Sequence, residues 1–148
     1  MIRLLVIDDS RVDRVYLKAL LTDGTEGSWL RNVELCMQTK PLDAMDDYSS
    51  FDGVLIDMHL GAGMDGVEIA RSIHRHNWRI PILLMTGAHP DSIPFDAHDF
   101  IDYVAFKQVA QPQRTYDDIF GTVRAMMRQI GRIREGKLTQ TITITTTT

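Results

Sequence analysis

Short, continuously apolar runs alternate along the chain with segments whose apolar residues recur at helical spacing. The apolar runs predict five β-strands, at residues 2–7, 33–36, 54–57, 80–85 and 101–106. The segments with helical spacing predict helices at residues 10–21, shortly after Pro41, at residues 67–76 and at residues 115–134. Continuously apolar strands separated by helices are typical of a parallel sheet covered on both faces. The pattern therefore predicts a doubly wound α/β domain with a five-stranded parallel sheet.

Two parts of the chain depart from this alternation. Between the fourth and fifth strands, Pro90, Pro94 and scattered acids interrupt the apolar spacing, so residues 88–99 are expected to form only a short or irregular helix. From Thr139 onward the chain is rich in threonine. We therefore expect one folded domain at residues 1–134 and a tail at residues 135–148 that is disordered or artificial.

The first and last helices each carry a stripe of apolar side chains. Ser10 is expected to cap the first helix through its side-chain oxygen. The stripe of the first helix consists of Val12, Val15, Tyr16, Ala19 and Leu20. The stripe of the last helix consists of Ile119, Val123, Met126, Met127, Ile130 and Ile133. On its opposite face, Arg124, Arg128 and Arg132 form either a solvent-exposed row or a surface for a partner.

Composition and charge narrow the class of protein. The chain has 148 residues and a net charge of -4, so it has no general attraction for nucleic acid or for anionic membranes. Cys36 is the only cysteine, which excludes an intrachain disulfide and fits a reducing, cytoplasmic setting. The first apolar run is interrupted by Arg3 and stopped by Asp8, so it is too short for a signal peptide or a membrane span.

Acidic residues stand where two of the predicted strands end. Asp8 and Asp9 follow the first strand, and Asp57 ends the third. Function in an open parallel sheet gathers at the carboxyl ends of the strands, where Thr86 and Lys107 also lie. Carboxylates packed together repel one another and have raised pKa values unless a cation holds them. The pattern predicts a Mg²⁺ pocket with one carboxylate free to attack a phosphoryl group.

At this point the sequence resembles the receiver domain of two-component response regulators. The resemblance rests on LLVIDDSRVDR, VLIDMHLGAGMDGVEIA, PILLMTG and the later strand that ends in a lysine, in that order. It covers about residues 1–134. It implies a flavodoxin-like fold with strand order 2-1-3-4-5. It also implies a regulatory domain rather than an enzyme.

The resemblance assigns a role to each marked residue. Asp57 would accept phosphate from a phosphohistidine on a sensor kinase or phosphotransfer protein. Mg²⁺ would be held by Asp9, Asp57 and the backbone carbonyl of His59, with Asp8 acting through water. The two remaining residues, Thr86 and Lys107, would contact the phosphoryl oxygens, and Thr86 would act with an aromatic switch residue.

The chain departs from the family pattern at three places. Gln108 stands where a proline usually follows the lysine. Tyr103 lies four residues before Lys107, and Val104 occupies the usual position of the switch aromatic. Since side chains of a strand alternate between faces, Tyr103 is expected to point the other way unless a bulge corrects it. The loop after Asp57 is one residue longer than usual and lacks its proline.

Three functions remain open from the sequence. The leading hypothesis is a phosphorylation-activated signalling switch that changes its binding of a downstream protein. The second is a pseudo-receiver that binds proteins without being phosphorylated. The third, an aspartyl-phosphate phosphatase, is disfavoured because His59 stands where such enzymes place an acid. The His59 side chain is a candidate for tuning the lifetime of the phosphate, and the long last helix offers a surface for a homodimer.

Overall fold

Five parallel strands form the centre of the protein. The computed structural model describes residues 1–22, 33–107 and 112–147, with side chains described for all of these except 20, 22, 112–117 and 136–147. The sheet strands are β1 (Ile2–Ile7), β2 (Val33–Gln38), β3 (Gly53–Asp57), β6 (Ile82–Thr86) and β7 (Tyr103–Phe106). Their order is β2-β1-β3-β6-β7, and all neighbouring pairs are parallel. Counting only these strands along the chain, the order is 2-1-3-4-5, so the predicted flavodoxin-like topology is confirmed.

Two further short strands follow β3 directly. These are β4 (His59–Leu60) and β5 (Met64–Asp65), which pair antiparallel as a hairpin. The sequence pattern predicted only a loop here. The extra residue of that loop is accommodated by a tight turn, in which Ala62 and Gly63 have φ values of 61° and 73°. Positive φ values at two successive residues are characteristic of the type I′ turn, which is common in β-hairpins.

Three α-helices and shorter 3₁₀ turns cover the sheet. The α-helices are α1 (Arg11–Thr22), α2 (Gly66–His76) and α3 (Pro112–Thr147). A 3₁₀ helix at Met45–Ser50 takes the place predicted for a short helix after Pro41. Two more, Pro90–Ser92 and Phe95–Asp99, occupy the irregular segment between β6 and β7. The prolines break the helical hydrogen-bond pattern there, as the sequence predicted.

The burial of α1 differs from the sequence prediction. Val12, Val15 and Tyr16 were expected in its stripe, but their exposed fractions are 62%, 60% and 48%. Among the described side chains of α1, those that are buried are Leu17 and Leu21, and the side chain of Leu20, another member of the predicted stripe, lies outside the described set. This helix carries two neighbouring apolar stripes, and packing of the two leucines against the sheet selects one of them. The stripe of α3 is confirmed, since five of its predicted members are buried: Ile119, Val123, Met126, Met127 and Ile130.

The helix α3 extends beyond the end predicted from its apolar stripe. Its backbone continues to Thr147, whereas the sequence placed the end at Arg134 and expected a disordered tail. The division of the chain at residue 134 stays a prediction. Among the described residues, no helix combines the length and the apolarity that a membrane span requires.

The core lies in two layers, one on each face of the sheet. Alternate residues of each strand supply the two layers, so Ile56 and Leu84 belong to one and Leu55 and Leu83 to the other. All residues of β3 and β6 are buried, as expected for central strands. The central strands are therefore packed on both faces, which fixes the positions of the residues at their carboxyl ends.

Gly66, the first residue of α2, allows this helix to start against the end of β3. A Cβ atom at this position would overlap the carbonyl oxygen of Asp57 and lie 2.9 Å from the Cα of Met58. We expect Gly66→Ala to lower the free energy of unfolding by more than about 2 kcal/mol, because backbone atoms would have to move. Urea denaturation of the metal-free protein measures this change.

Gly121 provides the matched control for this substitution. It is exposed within α3, and a Cβ atom there would meet nothing within 4 Å. Gly121→Ala is therefore expected to stabilise the protein by up to about 1 kcal/mol through helix propensity. Equal effects of the two substitutions would show that the close approach of α2 to β3 is not a constraint.

Candidate functional site

Three carboxylates meet at the carboxyl edge of the sheet. Asp8 and Asp9 follow β1, and Asp57 ends β3, which lies beside it. One oxygen from each side chain lies within 4.8 Å of the others. Asp8 is completely buried and Asp57 is buried, whereas Asp9 is exposed to solvent. The predicted convergence of the three acids is therefore present in the structure.

The structure disfavours the negative charge of Asp8. Burial raises the pKa of its carboxyl group from 3.8 to about 6. The nearby charge of Lys107 and the backbone N–H of Ser10, which donates a hydrogen bond of 2.9 Å, act in the opposite direction but do not cancel the effect of burial. The negative charge of Asp57 raises the pKa of Asp8 further. A divalent cation would relieve this repulsion.

Lys107 places a positive charge beside these acids. Its Nζ lies 2.9 Å from an oxygen of Asp57 and 3.4 Å from an oxygen of Asp8. A third acid, Asp13 in the first turn of α1, is closer still at 2.6 Å. Burial acts to lower the pKa of Lys107, but the hydrogen bonds to Asp13 and Asp57 outweigh it, and the pKa is raised. The lysine is therefore a fixed cation.

Sequence reasoning missed Asp13. An acid in the first turn of a helix is ordinarily explained by the helix dipole, so its identity alone did not mark it. Its position three residues after the capping residue Ser10 is the feature of the sequence that could have identified Asp13. A helix capped by Ser10 begins beside the two acids that end β1, and the first turn then faces the same edge of the sheet.

Thr86 ends β6 with its side chain fully buried. Its hydroxyl group donates to the sulfur of Met58 at 3.2 Å and accepts from the backbone N–H of Ala88 at 3.0 Å. Phe106 is paired with Thr86 across the sheet, and the residue after it, Lys107, donates its backbone N–H to the Thr86 carbonyl at 2.7 Å. Thr86 thus joins the loop after β6 to the strand that carries the lysine.

The hairpin after β3 contacts the site through its backbone. The N–H of His59 donates to Asp57 Oδ1 at 3.0 Å, and the N–H of Gly61 donates to Asp9 Oδ2 at 2.9 Å. The side chain of His59 is exposed. The positive φ of Ala62 costs roughly 1 kcal/mol for a residue with a Cβ atom. The longer loop therefore holds Asp9 through a mildly strained turn.

Tyr103 does not lie where the family resemblance would place a switch residue. The pairing of β6 with β7 is continuous from Leu83↔Tyr103 to Thr86↔Phe106, so no bulge changes its face. Val104 packs with the layer that contains Met58, the partner of Thr86, whereas Tyr103 packs with the other layer. The Tyr103 hydroxyl group donates to Gln129 Oε1 of α3 at 2.5 Å. Tyr103 therefore lies on the opposite face, as the alternation of side chains predicted in the absence of a bulge, and a role for it as a switch residue stays a prediction.

The donor set suits a small, hard cation. Carboxylate oxygens and a backbone carbonyl are the ligands that Mg²⁺ prefers, and the exposed Asp9 leaves room for water. The triad of Asp8, Asp9 and Asp57 therefore fits Mg²⁺. The carbonyl of His59 as a further ligand stays a prediction. The turn that begins at Gln108 lies outside the described residues.

Comparison with known proteins agrees with this geometry. The sequence of residues 4–119 matches the family described as the response regulator receiver domain. A receiver domain of an HD domain-containing protein from Pseudomonas fluorescens Pf-5 is similar, with TM-score 0.70, 20% identity, and coverage of 90% of this chain and 92% of that chain. The response regulator TrrA from Thermotoga maritima, solved with Mg²⁺-BeF, gives TM-score 0.64, 23% identity, and coverage of 85% and 99%.

A third solved structure, the response regulator domain of Thermotoga maritima CheB, gives TM-score 0.67 with 16% identity and coverage of 86% and 97%. Identities this low establish the shared fold alone. No curated protein has significant sequence similarity to the chain.

The raised pKa of Asp8 makes the stability of the metal-free protein depend on pH. The folded state holds the proton of Asp8 up to about pH 6, whereas the unfolded chain loses it near 3.8. Its contribution to the free energy of unfolding is thus complete below about pH 4 and is lost as the pH rises through about 6, an effect on the order of 2 kcal/mol. Urea denaturation at several pH values measures it.

Asp8→Asn isolates the contribution of this group, because asparagine does not titrate. We expect wild type and variant to differ in the slope of stability against pH between about pH 4 and pH 7. Parallel curves would show that Asp8 is not the titrating group. Added Mg²⁺ at neutral pH is expected to restore the stability of the wild type, since it neutralises the same carboxylate.

Proposed function

Because the chain belongs to the receiver-domain family of response regulators, we propose that it is a phosphorylation-activated switch of a two-component system, with Asp57 as the phosphoacceptor. The observation that carries the proposal is the position of Asp57. Its Oδ2 pairs with Lys107, its Oδ1 accepts from the backbone of the following hairpin, and it belongs to the acidic triad. No other acid in the described part of the chain combines these contacts.

The reaction transfers a phosphoryl group from a phosphohistidine to a carboxylate oxygen of Asp57. The N–P bond of the donor breaks as the O–P bond forms, and the leaving imidazole takes up a proton. Mg²⁺ held by Asp9, Asp57 and the His59 carbonyl, with Asp8 through water, would neutralise the phosphoryl oxygens. Such chemistry depends mainly on positioning and charge, which the rigid ends of β1 and β3 provide.

Thr86 and Lys107 would respond to the new charge. In the resting geometry the hydroxyl group of Thr86 is engaged by the sulfur of Met58, a weak acceptor. A phosphoryl oxygen is a much stronger acceptor, so Thr86 would exchange one for the other. The loop after β6 would follow, because Ala88 donates to the same hydroxyl group. This coupling gives the phosphate a route to a surface that binds a downstream protein.

A sensor histidine kinase or phosphotransfer protein would supply the phosphoryl group. The TrrA structure, which shares the fold, was solved in complex with Mg²⁺-BeF, and this supports the proposal that the present chain binds Mg²⁺. Direct nucleic-acid binding is not part of the proposal, since the net charge of the chain is -4. A cytoplasmic location and a homodimer stay predictions.

A pseudo-receiver is the second candidate, and one observation favours it. Tyr103 is packed against α3 and hydrogen-bonded to Gln129, so the usual aromatic partner of Thr86 is missing from the described residues. A receiver without that partner could signal by its surface alone. The complete set of Asp8, Asp9, Asp57, Thr86 and Lys107 at one edge nevertheless favours phosphorylation. Receiver domains are regulatory domains, and His59 does not supply the acid that a phosphatase of this chemistry uses.

Labelling with a small phosphodonor tests the proposal. With Mg²⁺ and acetyl phosphate, the wild type is expected to gain one phosphoryl group in intact-protein mass spectrometry, and Asp57→Asn is expected to gain none. Asp91→Asn is the matched control, because this acid is 93% exposed and lies outside the triad. Equal labelling of wild type and Asp57→Asn would contradict the assignment. No labelling of the wild type would favour the pseudo-receiver.

A further inference from the structure

The shortest contact of Lys107 is made with a residue outside the acidic triad. Its Nζ lies 2.6 Å from Asp13 Oδ2, compared with 2.9 Å to Asp57 Oδ2 and 3.4 Å to Asp8 Oδ2. Asp8 directly follows β1 and Asp57 ends β3, whereas Asp13 belongs to α1. The lysine thus links the helix to the site, and the shortest of its contacts lies on the helix side.

Asp13 is held in place by the local structure of α1. Its backbone N–H donates to the capping oxygen of Ser10 at 3.3 Å. The burial of Leu17 and Leu21 fixes the rotation of the helix about its axis. The side chain of Asp13 is 35% exposed and that of Lys107 is 18% exposed, so water screens the pair only in part. This is a defined contact at the rim of the site.

The ammonium group of Lys107 has three protons, and three carboxylates share them. A phosphoryl group on Asp57 would be a new acceptor for the same ammonium group. Lys107 could reach it fully only by loosening one of its present contacts. Phosphorylation converts the carboxylate of Asp57 into an acyl phosphate, which weakens that contact, but it leaves the carboxylates of Asp13 and Asp8 unchanged. Of these two, Asp13 lies closer to the lysine, at 2.6 Å compared with 3.4 Å, so it is the stronger lasting competitor.

We propose that Asp13 is a positioning residue that holds Lys107 in the resting geometry and competes with the phosphoryl group for it. The strength of the Asp13–Lys107 contact then sets how tightly the site holds a phosphoryl group. This inference rests on the proposed role of Asp57. It goes beyond that role, because Asp13 belongs neither to the cation-binding triad nor to the residues that the family resemblance marks.

Beryllofluoride with Mg²⁺ tests the competition, because it imitates a phosphoryl group without a chemical step. Its Kd is measured by titration calorimetry for wild type, Asp13→Asn, Lys107→Ala and the double variant. Asp13→Asn is expected to tighten binding by about fivefold, the scale of a partly exposed charge pair. In the Lys107→Ala background the same substitution is expected to change the Kd by less than about twofold. Asp13→Glu, which keeps the carboxylate, is expected to bind like the wild type.

A second measurement needs neither metal nor beryllofluoride. Urea denaturation of the same four proteins gives the coupling between Asp13 and Lys107 in the metal-free fold. The direct contact is supported if the two substitutions destabilise less together than the sum of their separate effects. Lys107→Gln replaces Lys107→Ala as the background if the alanine variant does not fold, since it keeps more of the side-chain volume.

The outcomes separate this inference from the proposed function. If the wild type does not bind beryllofluoride, or if Asp57→Asn binds it equally well, the proposed function fails and the role of Asp13 fails with it. If the wild type binds through Asp57 but Asp13→Asn has an unchanged Kd, only the inference is overturned. An equal effect of Asp13→Asn with and without Lys107 would also overturn it, because the effect would then be long-range charge repulsion.

Discussion

The structure depends on one electrostatic constraint, the gathering of carboxylates at the carboxyl edge of a parallel sheet around a single lysine. Because β1 and β3 are parallel neighbours, their carboxyl ends lie side by side. The acids at these ends are therefore close together even though they repel one another. Lys107 offsets part of that repulsion, yet burial and the nearby charge of Asp57 keep the pKa of Asp8 raised to about 6. A divalent cation would relieve both the repulsion and the cost of burying the charge of Asp8, which is why the triad suits such a cation.

The rest of the molecule holds this edge in two different ways. Buried layers on both faces keep the central strands rigid, and Gly66 lets α2 begin directly against β3. The loops hold individual acids through backbone donors, since Gly61 donates to Asp9 and His59 donates to Asp57. A strained turn at Ala62 is tolerated because it completes the hairpin that carries one of these donors. The positions of the acids are thus set by the sheet, and their orientations are set by the loops.

The two faces of β7 separate two possible routes for a signal. Val104 lies on the face of Met58 and Thr86, next to the irregular segment of 3₁₀ turns. Tyr103 lies on the opposite face and binds Gln129 of α3. A valine cannot donate a hydrogen bond or swing as an aromatic ring does, so any change at Thr86 must spread by packing and through the loop after β6. The α1 side of the site offers a separate connection through Asp13 and Lys107.

The sequence by itself determined the strand order through its resemblance, the two-layer core through its alternating apolar runs, and the convergence of Asp8, Asp9 and Asp57 through their places at strand ends. The core layers and the convergence of the acids follow from short-range periodicity, which a single chain displays directly, whereas the strand order came from the family resemblance. Only the tertiary structure decided which of two apolar stripes α1 buries, that Asp13 therefore faces Lys107, and that the loop after β3 closes as a hairpin. Those features arise from contacts between segments distant along the chain, where packing chooses among alternatives of nearly equal local preference.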